Sequence, residues 1–127
     1  MTRNNIIILN RGDTYEFDLT IDDDTSVDGR YHLQGDDTIY LGIMDPGQPF
    51  EDALVRKSFT VEDVDLNGNL TIIIEPMDTL DLLPGTYYYA VKIHLQHENI
   101  HPETGELLGY IDKVHTVINK TKFFLND

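Results

Sequence analysis

The stretch that decides the fold lies at residues 86–95 and reads Thr-Tyr-Tyr-Tyr-Ala-Val-Lys-Ile-His-Leu. Large apolar side chains recur at alternate positions of this stretch, and such alternation is typical of a β-strand with one buried face. Aromatic and β-branched residues also pack well on a pleated surface. We therefore predict a strand whose core side is formed by Tyr87, Tyr89, Val91, Ile93 and Leu95.

Similar short segments lie on both sides of this strand. We predict further strands at residues 6–9, 14–21, 38–44, 53–61, 69–75, 106–112 and 115–125. Asn67-Gly68 predicts a hairpin between the segments 53–61 and 69–75, and residues 97–104 are expected to form a loop. Residues 76–85 predict one helical turn whose leucines cap the core.

Strands separated by turn signals at intervals of about ten residues are typical of β-sandwiches. The sequence therefore predicts an all-β fold, an immunoglobulin-like antiparallel β-sandwich of about seven or eight strands. A length of 127 residues is close to the usual size of one domain, so we expect a single domain over residues 1–127.

The charge of the chain excludes some classes of partner. With 23 acidic and 9 basic residues, the formal net charge is -14, which repels phosphate backbones and anionic lipid surfaces. We therefore expect no nucleic acid and no membrane as partners. The same charge is compatible with calcium binding or with docking onto a basic protein surface.

Two further features concern the cell compartment. The chain has no cysteine, which excludes disulfides and thiolate metal sites and favours folding in a reducing cytoplasm. The apolar run after Met1-Thr2-Arg3-Asn4-Asn5 is too short for a signal peptide. We expect no export by the usual route.

The first metal hypothesis concerns the segment Asp63-x-Asp65-x-Asn67-Gly68, which is similar to the first half of a calcium loop. The twelfth position, however, is Ile74, and the flanking segments predict strands where calcium loops have helices. A plain hairpin turn is the alternative, because Asp, Asn and Gly are also the residues that a turn needs.

The second metal hypothesis concerns the histidines. In the functional interpretation, imidazoles from one hairpin converge on zinc or nickel. These imidazoles belong to His94, His97, His101 and His115. The alternative is that they are solvated or hydrogen-bonded, because Lys92, His94 and Gln96 look like the solvent face of one strand.

The aspartates at 22–24, 28, 36 and 37 have two similar interpretations, a calcium site between loops or a solvated cluster that protects a sheet edge.

One candidate surface for protein contact is aromatic. Tyr88 has core residues on both sides and is therefore predicted to lie on the opposite face of its strand, with Tyr40 as a neighbour. Tyrosine is enriched at interfaces, so Tyr40 and Tyr88 are predicted to bind a partner.

An ordered set of motifs resembles a known family. Its members are Asn10-Arg11-Gly12-Asp13-Thr14-Tyr15-x-Phe17, Gly68-x-Leu70, Pro76-x-Asp78-Thr79-x-x-Leu82, Leu83-Pro84-Gly85-Thr86-Tyr87-Tyr88-Tyr89 and the segment from Val114 to Phe123. This pattern resembles the immunoglobulin-like domain at the N-terminus of phage baseplate upper proteins and related small phage structural proteins. The resemblance implies a virion component that attaches to neighbouring subunits and has no known catalytic residues.

These observations lead to a functional hypothesis. The sequence contains no nucleophile elbow, phosphate-binding glycine loop or dinucleotide fingerprint, so we assign no catalytic residue and expect no enzyme. We expect a phage or prophage structural protein of the baseplate, tail or neck, made in the bacterial host cytoplasm and localised in the virion. Its expected partners are other virion structural proteins and further copies of itself, and no cofactor is expected. The alternative is a carbohydrate- or calcium-binding β-sandwich module.

Overall fold

The structure, a computed structural model, describes residues 5–127. This range contains seven strands, one short α-helix and two 3₁₀ helices, Phe50–Asp52 and Val61–Asp63. The strands and the α-helix are β1 (Ile7–Asn10), β2 (Tyr15–Leu19), β3 (Thr38–Met44), β4 (Val55–Phe59), β5 (Leu70–Ile74), α1 (Pro76–Leu80), β6 (Gly85–Ile100) and β7 (Leu107–Asn126). The prediction of an all-β chain is confirmed. Residues 1–4, on which part of the argument about a signal peptide depends, lie outside the described residues.

The strands form two sheets. A large sheet has the order β1-β7-β6-β3-β4, and β2 and β5 form a small sheet. Every pair is antiparallel except β1 and β7, which are parallel, so the prediction of a wholly antiparallel arrangement is wrong. Parallel neighbours need a crossover connection, and the chain between β1 and β7 supplies one, because after Gly12 at φ 85° it leaves the large sheet and enters β2. The amide of Arg11 still donates to the Asn126 carbonyl at 2.7 Å, so β1 ends beside the end of β7.

The two sheets share one hydrophobic core. We call the side of the large sheet that faces the small sheet its inner face, and the opposite side its outer face. The core side predicted for β6 is confirmed, because Tyr87, Tyr89, Val91 and Ile93 are buried on the inner face and Leu95 is partly buried. They pack with alternate residues of the other strands, including Leu19, Ile39, Leu41, Ile43, Leu70, Ile72 and Ile74.

The hairpin predicted between residues 53–61 and 69–75 is wrong. β4 pairs with β3 and β5 pairs with β2, so the two strands belong to different sheets. Asn67-Gly68 nevertheless makes a tight turn, with Gly68 at φ 80° and a single bridge between Val64 and Leu70. Turn chemistry is local, whereas the choice of partner strand depends on which apolar faces reach the core.

The last two strands are longer than predicted. β6 continues through the predicted loop as far as Ile100, and the segments 106–112 and 115–125 are one strand, β7. The pairing of β6 with β7 shifts register at three places, between Tyr89 and Val91, between Val91 and Lys92, and between Asn99 and Ile100. Each shift leaves an extra residue in β7, which is the definition of a β-bulge. The bulges interrupt the alternation along the sequence while the strand stays paired.

The helical turn predicted after β5 is α1, and it lies where the small sheet meets the start of β6. Thr79 is buried, and its Oγ1 accepts a hydrogen bond from the Gly12 amide at 3.0 Å. Only part of the predicted leucine cap is present, because Leu82 packs against the core whereas Leu80 and Leu83 are 50% and 77% exposed. The helix is too short to turn all of its leucines inward.

Candidate interaction surface

The β6–β7 hairpin extends beyond the rest of the large sheet. The pairing of β3 with β6 ends at Thr38 and His94, whereas β6 and β7 stay paired from Leu95 and Lys113 to Ile100 and Leu107. We call residues 95–113 the arm. Within residues 5–127 no third strand lies beside it. A two-stranded ribbon contributes little stability by itself, so the stability of the core does not explain why the chain has the arm.

A buried polar network fixes the base of the arm. The Asp37 carboxylate has no exposed surface. Its Oδ1 accepts a hydrogen bond from the Gln96 amide at 2.7 Å and lies 2.8 Å from His97 Nδ1. Its Oδ2 accepts from the Gln34 amide at 3.1 Å and from the Tyr31 hydroxyl. The network therefore ties the segment before β3 to β6 at the point where β3 begins.

The charges in this network follow from its hydrogen bonds. Burial raises the pKa of Asp37, but the bonds from Tyr31, His97 and the two amides outweigh that effect and hold the pKa below its ordinary value. Burial and the bond to Asp37 raise the pKa of Tyr31, so its phenol stays protonated as a donor. Asp37 thus acts as a buried anion held by donors on every side, which is how buried charges are tolerated.

Sequence reasoning missed this network. The prediction placed His97 in a loop and Asp37 in a solvated or calcium-binding cluster, whereas both side chains are buried. The two residues are 60 positions apart, and no local pattern links them. The available signal was weak: His97 keeps the odd-numbered spacing of Tyr87, Tyr89, Val91, Ile93 and Leu95, the inner face of β6.

The arm exposes several large apolar side chains among its acidic residues. Large apolar side chains with 42–59% of their surface exposed lie along it and at its base: Ile100, Leu107, Leu108, Tyr110 and Val114. Val114 lies opposite His94 and Tyr110 opposite Glu98, so both belong to the outer face of the hairpin. Clustered exposed apolar residues commonly mark contact surfaces.

The edge of β7 is unpaired along most of its length. β1 pairs only with residues 123–126 of β7, so in the described part of the chain residues 107–122 have a strand on one side only. At the usual rise per residue this free edge is about 50 Å long. Free strand edges invite contact with another chain unless bulges or charges prevent it.

The two tyrosines predicted to bind a partner lie on the outer face, but they are not neighbours. Tyr88 is opposite Met44 and Tyr40 is opposite Lys92, four residues away along β3. Both are partly buried against a small cluster that contains Met44, Phe50 and Ala90. Each tyrosine is therefore partly covered by its own chain, and partner binding by Tyr40 and Tyr88 stays a prediction.

Phe50 covers this cluster, and two cations lie over its ring. Lys92 Nζ lies 5.0 Å and Arg56 Cζ 5.5 Å from the centre of its ring. The ring passes so close to Gly42 that a Cβ there would lie 2.7 Å from Phe50 Cε2. The outer face thus carries a positively charged aromatic patch beside a groove of about 190 Å³ that reaches Val114.

The residues of the first metal hypothesis serve the turn. Asp63 Oδ2 accepts a hydrogen bond from the Thr60 amide at 2.8 Å, and Asp65 Oδ1 accepts from the amides of Asn67 and Asn69 at 2.9 Å. The Asp65 bonds form an Asx turn, and the Asp63 bond is one half of a capping box with Thr60 at the start of the 3₁₀ helix Val61–Asp63. The geometry favours the plain turn interpretation.

The histidines of the second hypothesis lie apart. His94 is on the outer face with Nε2 2.5 Å from Asp112 Oδ1, whereas His97 is buried at the inner side of the same strand. His101 accepts hydrogen bonds from the amides of Glu103 and Thr104 in the turn of the hairpin. His115 pairs with Ile93 and is exposed. Across residues 5–127 no group of three or more His, Cys, Asp or Glu residues is arranged to hold a metal ion.

The aspartates after β2 make local bonds. Asp23 accepts from the amide and hydroxyl of Thr25, and these bonds lower its pKa. Asp28 lies 2.6 Å from His32 Nε2 and 3.7 Å from Arg30 Nε, and the bond to His32 is the main reason that its pKa is lowered. These carboxylates stabilise the loop as anions.

A cleft of about 490 Å³ opens between this loop and β7. Its floor is apolar, and its rim carries Asp22, Asp23, Tyr31 and His115. The small sheet has only two strands and leaves this part of the large sheet's inner face uncovered. The cleft can accept an apolar side chain or a ring with polar substituents at its edge.

Comparison with known proteins found no match for this chain. No family model, no curated protein and no solved structure matches this chain. Among the helices of residues 5–127, none is long and apolar enough to cross a membrane.

Proposed function

We propose that this chain is a structural protein of a phage or prophage particle, a component of the baseplate, tail or neck that acts through protein–protein contacts. The observation that carries the assembly role is the arm, with its exposed apolar side chains and the free edge of β7. Residues of this kind cost solubility when they are exposed, and burial against a partner removes that cost.

The phage assignment is supported by the ordered motif set and by contacts between its members. The first motif contains Arg11 and Gly12, and the third contains Thr79 and Leu82. The Gly12 amide donates to Thr79 Oγ1 at 3.0 Å, and Arg11 donates to the Leu82 carbonyl at 3.5 Å. The two motifs therefore belong to one structural unit, as the proposed family pattern requires.

An immunoglobulin-like β-sandwich is the fold that goes with this proposal. Two sheets with one shared core, mostly antiparallel pairing and a first strand beside the last agree with it. In this proposal the protein is made in the host cytoplasm and becomes part of the virion. Its partners are other virion structural proteins and further copies of the same chain.

The test is binding to the products of neighbouring structural genes, measured by sedimentation velocity of the purified proteins. We expect a stable complex with at least one of them, and we expect Tyr110→Ser/Val114→Ser to weaken it by about tenfold or more, because buried apolar side chains dominate interface energies. Leu66→Ser is the control, since Leu66 is fully exposed on a turn far along the chain from the arm. A chain that binds none of these proteins and stays monomeric would contradict the proposal.

The second candidate, a carbohydrate- or calcium-binding module, is favoured by the cleft beside β7. Tyr31 offers an aromatic ring, and Asp22 and Asp23 offer carboxylates at the rim. Titration calorimetry with a panel of glycans, and separately with calcium, tests it. Heat of binding that is lost in Tyr31→Ala would support this candidate, and no heat with any glycan or with calcium would dismiss it.

A further inference from the structure

Charge is distributed unevenly between two parts of the chain. β7 contains Lys113, Lys120 and Lys122 and only one acidic residue, Asp112. Residues 13–37 contain nine acidic residues and one basic residue, Arg30. A chain with a net charge of -14 thus has a basic strand, and that strand is the one with the long free edge.

The acidic side chains of the other part form a surface of their own. Glu16 and Asp18 on β2 point away from the core and are exposed. Asp13 and Asp24 continue the same surface before and after the strand. We call these four residues the β2 face.

We infer that the free edge of β7 in one copy binds the β2 face of a second copy, head to tail. This inference rests on the proposed assembly role and names the partner for that role. Lys113 and Lys122 lie against carboxylates of the neighbour, whereas Lys120 donates to the Gln48 carbonyl of its own chain. The exposed apolar residues of the arm supply the buried area. Exposed ion pairs contribute little each, so the charges mainly select the orientation and the partner surface.

Two observations favour this arrangement over direct pairing of two β7 strands. β7 carries three lysines and one aspartate, so pairing β7 with itself brings together two edges of net positive charge, and like charges at close range oppose association. The extra residues of β7 at its bulges also interrupt any regular ladder with a new strand. A contact through side chains onto another surface avoids both difficulties.

The arrangement has a consequence for assembly. A contact between two different surfaces of the same chain leaves one of each surface free at the ends, so it continues into a ring or a filament. A contact between identical surfaces would stop at a dimer.

The test is a charge-swap experiment with sedimentation velocity on the full chain at fixed salt concentration. Lys113→Glu damages the β7 edge and Glu16→Lys damages the β2 face. Each has a control with the same change in net charge elsewhere, the double change Leu66→Glu/Met77→Glu at two exposed apolar residues and Glu62→Lys after β4. We expect each test variant alone to associate about tenfold more weakly than its control, because an attractive contact becomes repulsive.

Mixing the variants separates the alternatives. In a mixture, the intact β7 edge of Glu16→Lys should bind the intact β2 face of Lys113→Glu, and the two altered surfaces again carry opposite charges, so the mixture should associate more strongly than either variant alone. Lys113→Glu that stays monomeric in the mixture while Glu16→Lys still self-associates would overturn the inference and indicate pairing of identical edges. A wild-type chain that is monomeric at every concentration would also overturn it, whereas binding to neighbouring structural gene products would still support the proposed function.

Discussion

Asp37 is a single carboxylate on which four donors converge at the base of the arm. We predict that Asp37→Asn lowers the free energy of unfolding by about 3 kcal/mol, because the amide cannot accept all of these bonds and leaves buried donors unpaired. Urea denaturation at neutral pH measures the loss. Asp36→Asn is the control, since Asp36 is exposed and should change stability by less than about 0.5 kcal/mol.

The same residue gives the stability a dependence on pH. Folding lowers the pKa of Asp37 below its ordinary value of 3.8. As the pH falls, the unfolded chain therefore takes up a proton at this carboxylate before the folded protein does. The stability that the ionised Asp37 contributes is therefore complete at a pH above the pKa of the unfolded state. It is lost as the pH falls through the pKa of the folded state. The stability difference between wild type and Asp37→Asn should shrink as the pH is lowered from 5 towards about 2. A difference that stays constant would contradict the assignment of an anion.

The contact between Gly42 and Phe50 can be tested by mutation of either residue. We predict that Gly42→Ala costs about 1–3 kcal/mol, because the new methyl group would lie 2.7 Å from Phe50 Cε2 and must displace the ring. In the background Phe50→Ala the same change should cost much less, since the obstacle is gone. A double-mutant cycle from urea denaturation measures the coupling. Equal costs in both backgrounds would show that another contact restricts Gly42.

At the scale of elements, the sequence predicts strands well where the alternation of apolar residues is regular. β2, β3 and β5 lie inside predicted segments, and the core side of β6 is as predicted. Prediction is poorer where the deciding contact is remote. β6 passes through polar residues after Leu95 because Asp37, far along the chain, pairs with His97. The bulges of β7 hide its continuity, since alternation changes phase at each extra residue.

The arm leads to a prediction about one element. We predict that replacing residues 98–110 with Asn-Gly leaves a folded protein whose free energy of unfolding changes by less than about 1 kcal/mol, because a two-stranded ribbon adds little stability. The shortened hairpin keeps Gln96 and His97, which contact Asp37. Binding to structural partners should be lost. Circular dichroism and urea denaturation check the fold, and sedimentation checks the binding.

The opposite outcome for the arm is also informative. If the shortened protein loses cooperative unfolding, the arm belongs to the folding unit and the assignment of the arm to assembly is wrong. If it folds and still binds partners, the contact lies elsewhere, and the groove beside Phe50 on the outer face is the next surface to change.

For the whole molecule, the structure combines a compact core with a long hairpin that the core does not need. Strands β3, β6 and β7 meet at the centre, where Leu41, Val91 and Ile118 are buried, whereas the arm has few buried side chains. Opening free energies in a folded protein range from about 0 in frayed segments to the global value in the core. The molecule should therefore contain regions of very different local stability.

Hydrogen exchange measured by mass spectrometry tests this distribution and connects it to assembly. We predict that amides of β3 and the proximal part of β6 exchange only through global unfolding, while those of residues 98–110 exchange by local opening. On association, the edge of β7 between Gly109 and Thr116 should gain protection, because it becomes covered by the neighbouring copy. The Lys113→Glu variant is the comparison, since it keeps the fold and should lack this gain. Equal protection of the edge in free and associated protein would mean that the β7 edge lies outside the contact.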